Sequence, residues 1–84
     1  MTFKVIGEEI KNYSTPDEVI FLDVNKDYIE PQFIFYAKRN IASFESMNEA
    51  KKLIKLNGLD KGIIFILNKD KNNVKKIIKI NLNE

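Results

Sequence analysis

The chain of 84 residues contains no histidine, no cysteine and no tryptophan. Histidine is the most common acid–base side chain at neutral pH, and cysteine is a leading nucleophile and soft metal ligand. The absence of cysteine also excludes a disulfide framework, so the fold has to be held by its apolar core. We therefore predict that the protein is not an enzyme and that it needs no cofactor.

Glycine is also scarce, and no glycine-rich phosphate-binding loop is present. The three glycines stand apart from one another, as Gly7, Gly58 and Gly62. Asp23–Asp27 begins like a calcium-binding loop, but Tyr28 replaces the glycine of the sixth position and Ile34 replaces the glutamate of the twelfth. We interpret this stretch as a polar turn and predict no metal site.

Long apolar runs are missing as well. No run approaches the roughly 18 residues that cross a bilayer, and the first residues lack the pattern of a secretory signal. Hydrophobic residues make up 44% of the chain and charged residues 31%, which is typical of a soluble globular protein. We expect a single domain over residues 1–84, located in the cytoplasm and not bound to a membrane.

Arginine is nearly absent, because Arg39 is the only arginine among 14 basic residues. Base and phosphate recognition favours arginine, so this ratio gives little support to sequence-specific nucleic-acid binding. Residues 1–42 carry 5 basic and 7 acidic side chains, whereas residues 43–84 carry 9 and 5. The abundance of lysine, isoleucine and asparagine, which have AT-rich codons, is compatible with a phage or mobile-element origin.

A helix is predicted over residues of about 47–57. Ser46 and Glu49 have the spacing of a capping box, and Gly58 suits the left-handed residue that ends a helix. The apolar positions between them recur at helical spacing. They are Met47, Ala50, Leu53 and Ile54.

The remaining apolar segments favour strands. Val19–Val24 is apolar at nearly every position, which indicates a strand that is covered on both faces or placed centrally in the sheet. Arg39 and Asn40 are interpreted as a tight turn. The other predicted strands are Thr2–Ile6, Phe33–Lys38, Ile41–Phe44, Gly62–Leu67 and Val74–Leu82, the last two forming a hairpin.

These elements predict an α+β fold. We expect a twisted, largely antiparallel sheet of about five or six strands with a single helix on one face, in the order β-β-β(-β)-α-β-β. An OB-type barrel has the same order and stays open as an alternative. Gly7–Tyr13 fits either a continued strand or a helical turn, and the structure of residues 7–18 stays open. The predicted core consists of Phe3, Val5, Ile20, Leu22, Phe35, Phe44, Ala50, Leu53, Ile54, Ile64, Ile66, Ile78 and Ile80.

The basic carboxy-terminal hairpin is the predicted partner-binding surface. We expect Lys75, Ile77 and Lys79 to share the outer face of the last strand, with Lys69 and Lys71 at the tip. The leading hypothesis is a small interaction protein, an inhibitor or accessory factor, that binds another protein through a sheet edge or a charged face. The alternative is weak, sequence-tolerant nucleic-acid binding by the lysines, and a homodimer also stays open.

Overall fold

The computed structural model of the protein describes residues 3–24, 39–69 and 73–83. Within these ranges the chain forms two helices and four strands, which gives an α+β fold. In chain order they are α1 (Phe3–Tyr13), β1 (Glu18–Leu22), β2 (Asn40–Ser43), α2 (Met47–Leu56), β3 (Lys61–Leu67) and β4 (Val74–Asn81).

The four strands form one mixed sheet in the order β2-β1-β3-β4. Strand β1 runs parallel to both of its neighbours, so that Ile20 lies opposite Ile41 on one side and Ile63 on the other. Among the described strands, only β3 and β4 pair in antiparallel fashion. The prediction of a largely antiparallel sheet is therefore wrong, since two of the three described strand pairs are parallel. These pairs have no local sign in the sequence, because each joins strands that are distant along the chain.

The predicted strand count and the barrel are not found among the described strands. The sheet is open, with β2 and β4 as its two edges. The predicted strand Phe33–Lys38 lies outside the described residues. Asn40, expected in a turn with Arg39, is instead the first residue of β2 and pairs with Val19.

Strand β1 lies in the middle of the molecule, and the prediction of a strand covered on both faces is confirmed. All five of its residues are buried. Because successive side chains of a strand point to opposite faces, a strand with no exposed position needs a layer on each side of the sheet. Helix α1 supplies one layer and α2 the other. We call the two sides of the sheet the α1 face and the α2 face.

The α1 face is covered by a helix that the sequence did not predict. The predicted strand Thr2–Ile6 is wrong, because residues 3–13 form this helix. Ile6 and Ile10 are four residues apart, so they lie on the same side of this helix, and both are fully buried against the sheet. The β-branched residues at the start of the chain favour a strand by propensity alone, and packing overrides that preference. The buried residues of this face are Ile6, Ile10, Ile20, Leu22, Ile63, Phe65 and Leu67.

Arg39 fixes the carboxy-terminal end of α1. Its guanidinium donates to the Ser14 carbonyl at 2.9 Å, to the Lys11 carbonyl at 3.3 Å and to Ser14 Oγ at 3.0 Å. The Ser14 hydroxyl in turn donates to the Ile10 carbonyl. A cation at this end of a helix satisfies carbonyl groups that have no partner within the helix and interacts favourably with the helix dipole. The single arginine thus ties α1 to the start of β2.

Helix α2 confirms the predicted helix and both of its ends. The Glu49 N–H donates to Ser46 Oγ at 3.2 Å, as in a capping box. At the other end Gly58 has φ +71°, and Leu59 N–H donates to the Ile54 carbonyl at 3.1 Å. This is the Schellman arrangement, which needs a residue with positive φ. The buried residues of the α2 face are Val19, Phe21, Ala50, Ile54, Ile64 and Ile80.

The predicted core is confirmed in part. Six of its residues are buried, namely Ile20, Leu22, Ala50, Ile54, Ile64 and Ile80. Four others are partly buried against the α2-face cluster, namely Phe44, Leu53, Ile66 and Ile78. Phe35 and the side chains of Phe3 and Val5 lie outside the described part. The prediction omits the buried residues of α1 and, for β1 and β3, the residues on the face of each strand that was not assigned to the core. They are Ile6, Ile10, Val19, Phe21, Ile63, Phe65 and Leu67.

Gly62 sets how closely α2 approaches the sheet. A Cβ at this position would lie 2.7 Å from Ile54 Cδ1 and 3.1 Å from the Val19 carbonyl oxygen. Gly62→Ala should therefore lower the free energy of unfolding by about 1–3 kcal/mol through overpacking. Denaturant unfolding measures the change. In an Ile54→Val background, which lacks Cδ1, the same substitution should be less destabilising. Equal losses in both backgrounds would contradict this packing of α2.

Candidate interaction edge

The predicted carboxy-terminal hairpin is confirmed as β3 and β4. Two hydrogen bonds close its tip, from Asn68 N–H to the Asn73 carbonyl at 2.9 Å and from Asn73 N–H to Asn68 Oδ1 at 3.2 Å. Lys69 is exposed beside this closure. Lys71, the other lysine predicted at the tip, lies outside the described residues.

A β-bulge interrupts the hairpin near its tip. Ile66 lies opposite Lys76 but Leu67 lies opposite Val74, so Lys75 has no residue across from it. Such an extra residue shifts the alternation of side chains along the strand. Val74 therefore packs with Ile77 against the α1-face cluster. Without the bulge, simple alternation along the strand would place Val74 on the opposite face from Ile77.

Beyond the bulge, the side chains of β4 alternate regularly between the two faces of the sheet. Ile77 and Lys79 lie on the α1 face, whereas Lys76 and Ile78 lie on the α2 face. All three lysines of the strand, at positions 75, 76 and 79, are exposed. Ile77 was expected to be exposed, but it is half-buried against the cluster under α1. Lys76 was missing from the predicted surface, because unbroken alternation assigns it to the inner face.

The backbone of β4 has one side that is paired and one that is open. Leu82 N–H donates to the Asp60 carbonyl at 2.8 Å, so Leu82 faces β3. In an antiparallel pair every second residue faces the partner strand, so Ile78 and Ile80 also face β3. The N–H and carbonyl groups of the residues between them, Ile77, Lys79 and Asn81, point away from β3.

No described strand lies along this open side of β4, which makes it a free edge of the sheet within the described part of the chain. Its lysines have no carboxylate within ion-pair distance among the described residues. The ion pair that the described residues do form joins Lys52 Nζ to Glu49 Oε1 at 3.5 Å, and both of these residues belong to α2. An edge strand with unpaired backbone groups can accept an added strand, and charged side chains along it oppose indiscriminate pairing.

Two shallow depressions border β4. One, of about 260 Å³, lies at the bulge end and is lined by Glu9, Tyr13, Val74, Lys75, Lys76 and Ile77. The other, of about 340 Å³, lies at the far end and is lined by Thr15, Glu18, Lys61, Lys79, Ile80 and Asn81. Both depressions are open to solvent. They add exposed surface next to β4 that side chains of a bound strand could contact.

The carboxylates near the second depression are held by the turn that leads into β1. Glu18 is buried, and its Oε1 accepts from Thr15 N–H at 2.8 Å and from Thr15 Oγ1 at 3.1 Å. Thr15 Oγ1 also bonds to exposed Asp17. This hydrogen bond lowers the pKa of Asp17, and the positive charge of Lys61 acts in the same direction. These hydrogen bonds hold Thr15, Asp17 and Glu18 together in the turn before β1.

Asp23, the first residue of the stretch that resembles a calcium-binding loop, accepts a hydrogen bond within the fold. Its Oδ1 accepts from Leu67 N–H at 2.9 Å, which joins the end of β1 to the end of β3. Most of the calcium-like stretch that follows lies outside the described residues. In the described ranges no three His, Cys, Asp or Glu side chains are grouped as metal ligands. None of the helices found there is long and apolar enough to cross a membrane.

Comparisons with known proteins add no relative. No family model, no curated protein and no solved structure matches the chain. The function therefore has to be argued from the residues of the edge itself.

The open side of β4 can be tested with proline. Lys79→Pro removes an N–H that points away from β3, so it should lower the free energy of unfolding by less than about 1 kcal/mol. Ile78→Pro removes an N–H that faces β3, and the carbonyl left unpaired should make the loss about 1–3 kcal/mol. Urea unfolding of both variants measures the difference. Equal losses, or a larger loss for Lys79→Pro, would contradict the assigned direction of the backbone groups.

The turn before β1 can be tested by titration. Because the pKa of Asp17 is lowered in the folded protein, its hydrogen bond stabilises the fold above the ordinary carboxyl pKa and is lost as the pH falls through the lowered value. Thr15→Val should raise the pKa of Asp17 toward the ordinary range, whereas Thr15→Ser should leave it lowered. Carboxyl NMR titration measures both. An unchanged pKa in Thr15→Val would show that another group causes the shift.

Proposed function

We propose that the protein is a non-catalytic interaction module that binds another protein through the free edge of β4, as an inhibitor or accessory factor. The observation that carries the proposal is the open edge itself. It combines outward backbone groups at Ile77, Lys79 and Asn81 with exposed lysines that form no ion pair with a carboxylate in the described part. Strand addition needs both properties, hydrogen bonds for affinity and side chains for specificity.

The bulge and the lysines also protect an edge strand against indiscriminate pairing. This protective role does not compete with binding, because the same charges exclude basic strands and admit acidic ones. Specific recognition often combines attraction to one partner with repulsion of others. The β4 edge is thus expected to pair with acidic strands and to exclude basic ones.

Nucleic-acid binding by the hairpin is the second candidate, and one observation favours it. Lys61 and Lys79 line the same depression, so two positive charges lie close together. Against it, Lys76 and Lys79 project from opposite faces of the sheet, so the lysines of β4 do not form one plane that a phosphate backbone can follow.

The proposed function is tested by affinity capture from a lysate of the cells in which the protein occurs. Reversing two edge charges, in Lys76→Glu/Lys79→Glu, should remove the proteins that the unmodified chain captures. The matched control is Lys51→Glu/Lys55→Glu, which makes the same change of net charge on the exposed side of α2 and should capture the same proteins. Circular dichroism establishes that both variants are folded.

Fluorescence anisotropy with single-stranded and duplex oligonucleotides completes the test. We expect no binding at moderate salt. Salt-dependent oligonucleotide binding that disappears in Lys76→Glu/Lys79→Glu, together with no captured protein, would replace the proposal by the nucleic-acid alternative. Captured proteins that bind both charge-reversed variants equally would show that the edge is not the contact.

A further inference from the structure

We propose that the segment that docks on β4 is an extended chain with the pattern acidic–apolar–apolar–acidic. This inference rests on the proposed function and specifies its partner. It follows from the order of the side chains at positions 76–79 of β4, which is lysine, isoleucine, isoleucine, lysine. Each of these residues would have one residue of the added strand directly opposite.

The two faces of the sheet decide where the partner's charges must lie. Residues directly opposite each other in paired strands project from the same face. Lys79 projects on the α1 face and Lys76 on the α2 face, so one carboxylate is required on each. A partner strand satisfies both when its acidic residues are three positions apart, because such residues point to opposite faces.

The two middle positions of the partner face isoleucines. Ile77 and Ile78 are both partly buried, each packed at the border of one core cluster. An apolar side chain opposite each of them extends that cluster and removes its outer border from water. The pattern is symmetric, so it fits a strand that runs in either direction along β4.

The backbone of β4 fits the same segment. The outward groups of Ile77 and Lys79 lie within it, and those of Asn81 continue it by one further pair of hydrogen bonds. On the other side the bulge at Lys75 ends the regular ladder. The paired stretch thus covers residues 76–81, and an added strand needs about six residues.

Charge argues against a second copy of this chain as the occupant. Strand β4 contains three lysines and no acidic residue. Pairing β4 with its own copy would bring six lysines onto two adjacent strands with no carboxylate between them. Like charges that face each other across strands are destabilising. An acidic partner avoids this repulsion. A homodimer, which the sequence leaves open, would be destabilised by it if the two copies paired through β4.

The pattern is tested with synthetic peptides labelled with fluorescein. One peptide carries Glu-Val-Val-Glu at its centre, between threonines, and the other carries Glu-Val-Glu-Val, which has the same composition but places both acids on one face. We expect the first peptide to bind about fivefold more tightly or better, because the second leaves one lysine facing valine. Anisotropy titrations at low salt measure both affinities.

Two variants separate the pattern from edge docking in general. Lys79→Pro should abolish binding of the Glu-Val-Val-Glu peptide, whereas Lys79→Gln, which keeps the N–H, should only weaken it. Lys76→Glu/Lys79→Glu should reverse the preference and bind a Lys-Val-Val-Lys peptide instead. Circular dichroism establishes that this variant is folded when it gains binding.

The outcomes distinguish this inference from the proposed function. If both glutamate peptides bind equally and Lys79→Pro abolishes both, the pattern is wrong and edge docking stands. If neither peptide binds while charge reversal at Lys76 and Lys79 removes captured proteins, the pattern is also wrong and the proposed function stands. If neither peptide binds and no captured protein depends on these lysines, both are overturned.

Discussion

The whole structure depends on one constraint, which is that β1 has no exposed position. Its five residues are buried on both faces of the sheet. A strand of this kind is stable only between two covering layers, and in this chain those layers are the helices on either side. Ile6 and Ile10 of α1 cover one face, and Ala50 and Ile54 of α2 cover the other. Strand β3, buried at five of its seven positions, continues the same arrangement.

The edge is a consequence of this constraint. The two helices leave β4 only partly covered, so Val74, Ile77 and Ile78 are half-buried and the lysines of the strand are exposed, whereas Ile80 is buried. The lysines and the bulge at Lys75 disfavour pairing of β4 with its own copy. In the proposed function, the same lysines also select the chain that pairs with β4. Protection against aggregation and the proposed selection of a partner would then have the same physical origin, which is positive charge beside backbone groups that β3 leaves unpaired.

The parts of the fold that were predicted from the sequence are those fixed by local interactions. Ser46, Glu49 and Gly58 determine both ends of α2 through contacts within a few residues, and the hairpin joins segments that are neighbours in the chain. Burial of β1 on both faces was also predicted, from its composition alone. This prediction already implied a second covering layer, which conflicts with the single helix that was expected.

What the sequence missed depends on contacts between distant residues. Helix α1 begins with residues that favour a strand, and it forms because Ile6 and Ile10 fill the α1 face. The contacts of Arg39 with the end of α1 join residues more than twenty positions apart. At the edge, Lys75 and Lys79 were identified correctly as exposed, whereas Lys76 is exposed although it lies on the same face as half-buried Ile78. The bulge at Lys75 has no local signature in the sequence, and it places Val74 on the same face as Ile77.

Amide hydrogen exchange along β4 tests the central claim, that this strand is an open edge able to accept another. The account predicts that the amides of Ile77, Lys79 and Asn81 exchange rapidly in the free protein, whereas those of Ile78, Ile80 and Leu82 are protected by β3. Saturation with the Glu-Val-Val-Glu peptide should slow the first three and leave the others unchanged. Uniform protection of β4 in the free protein, or a peptide that slows none of the three outward amides, would contradict it.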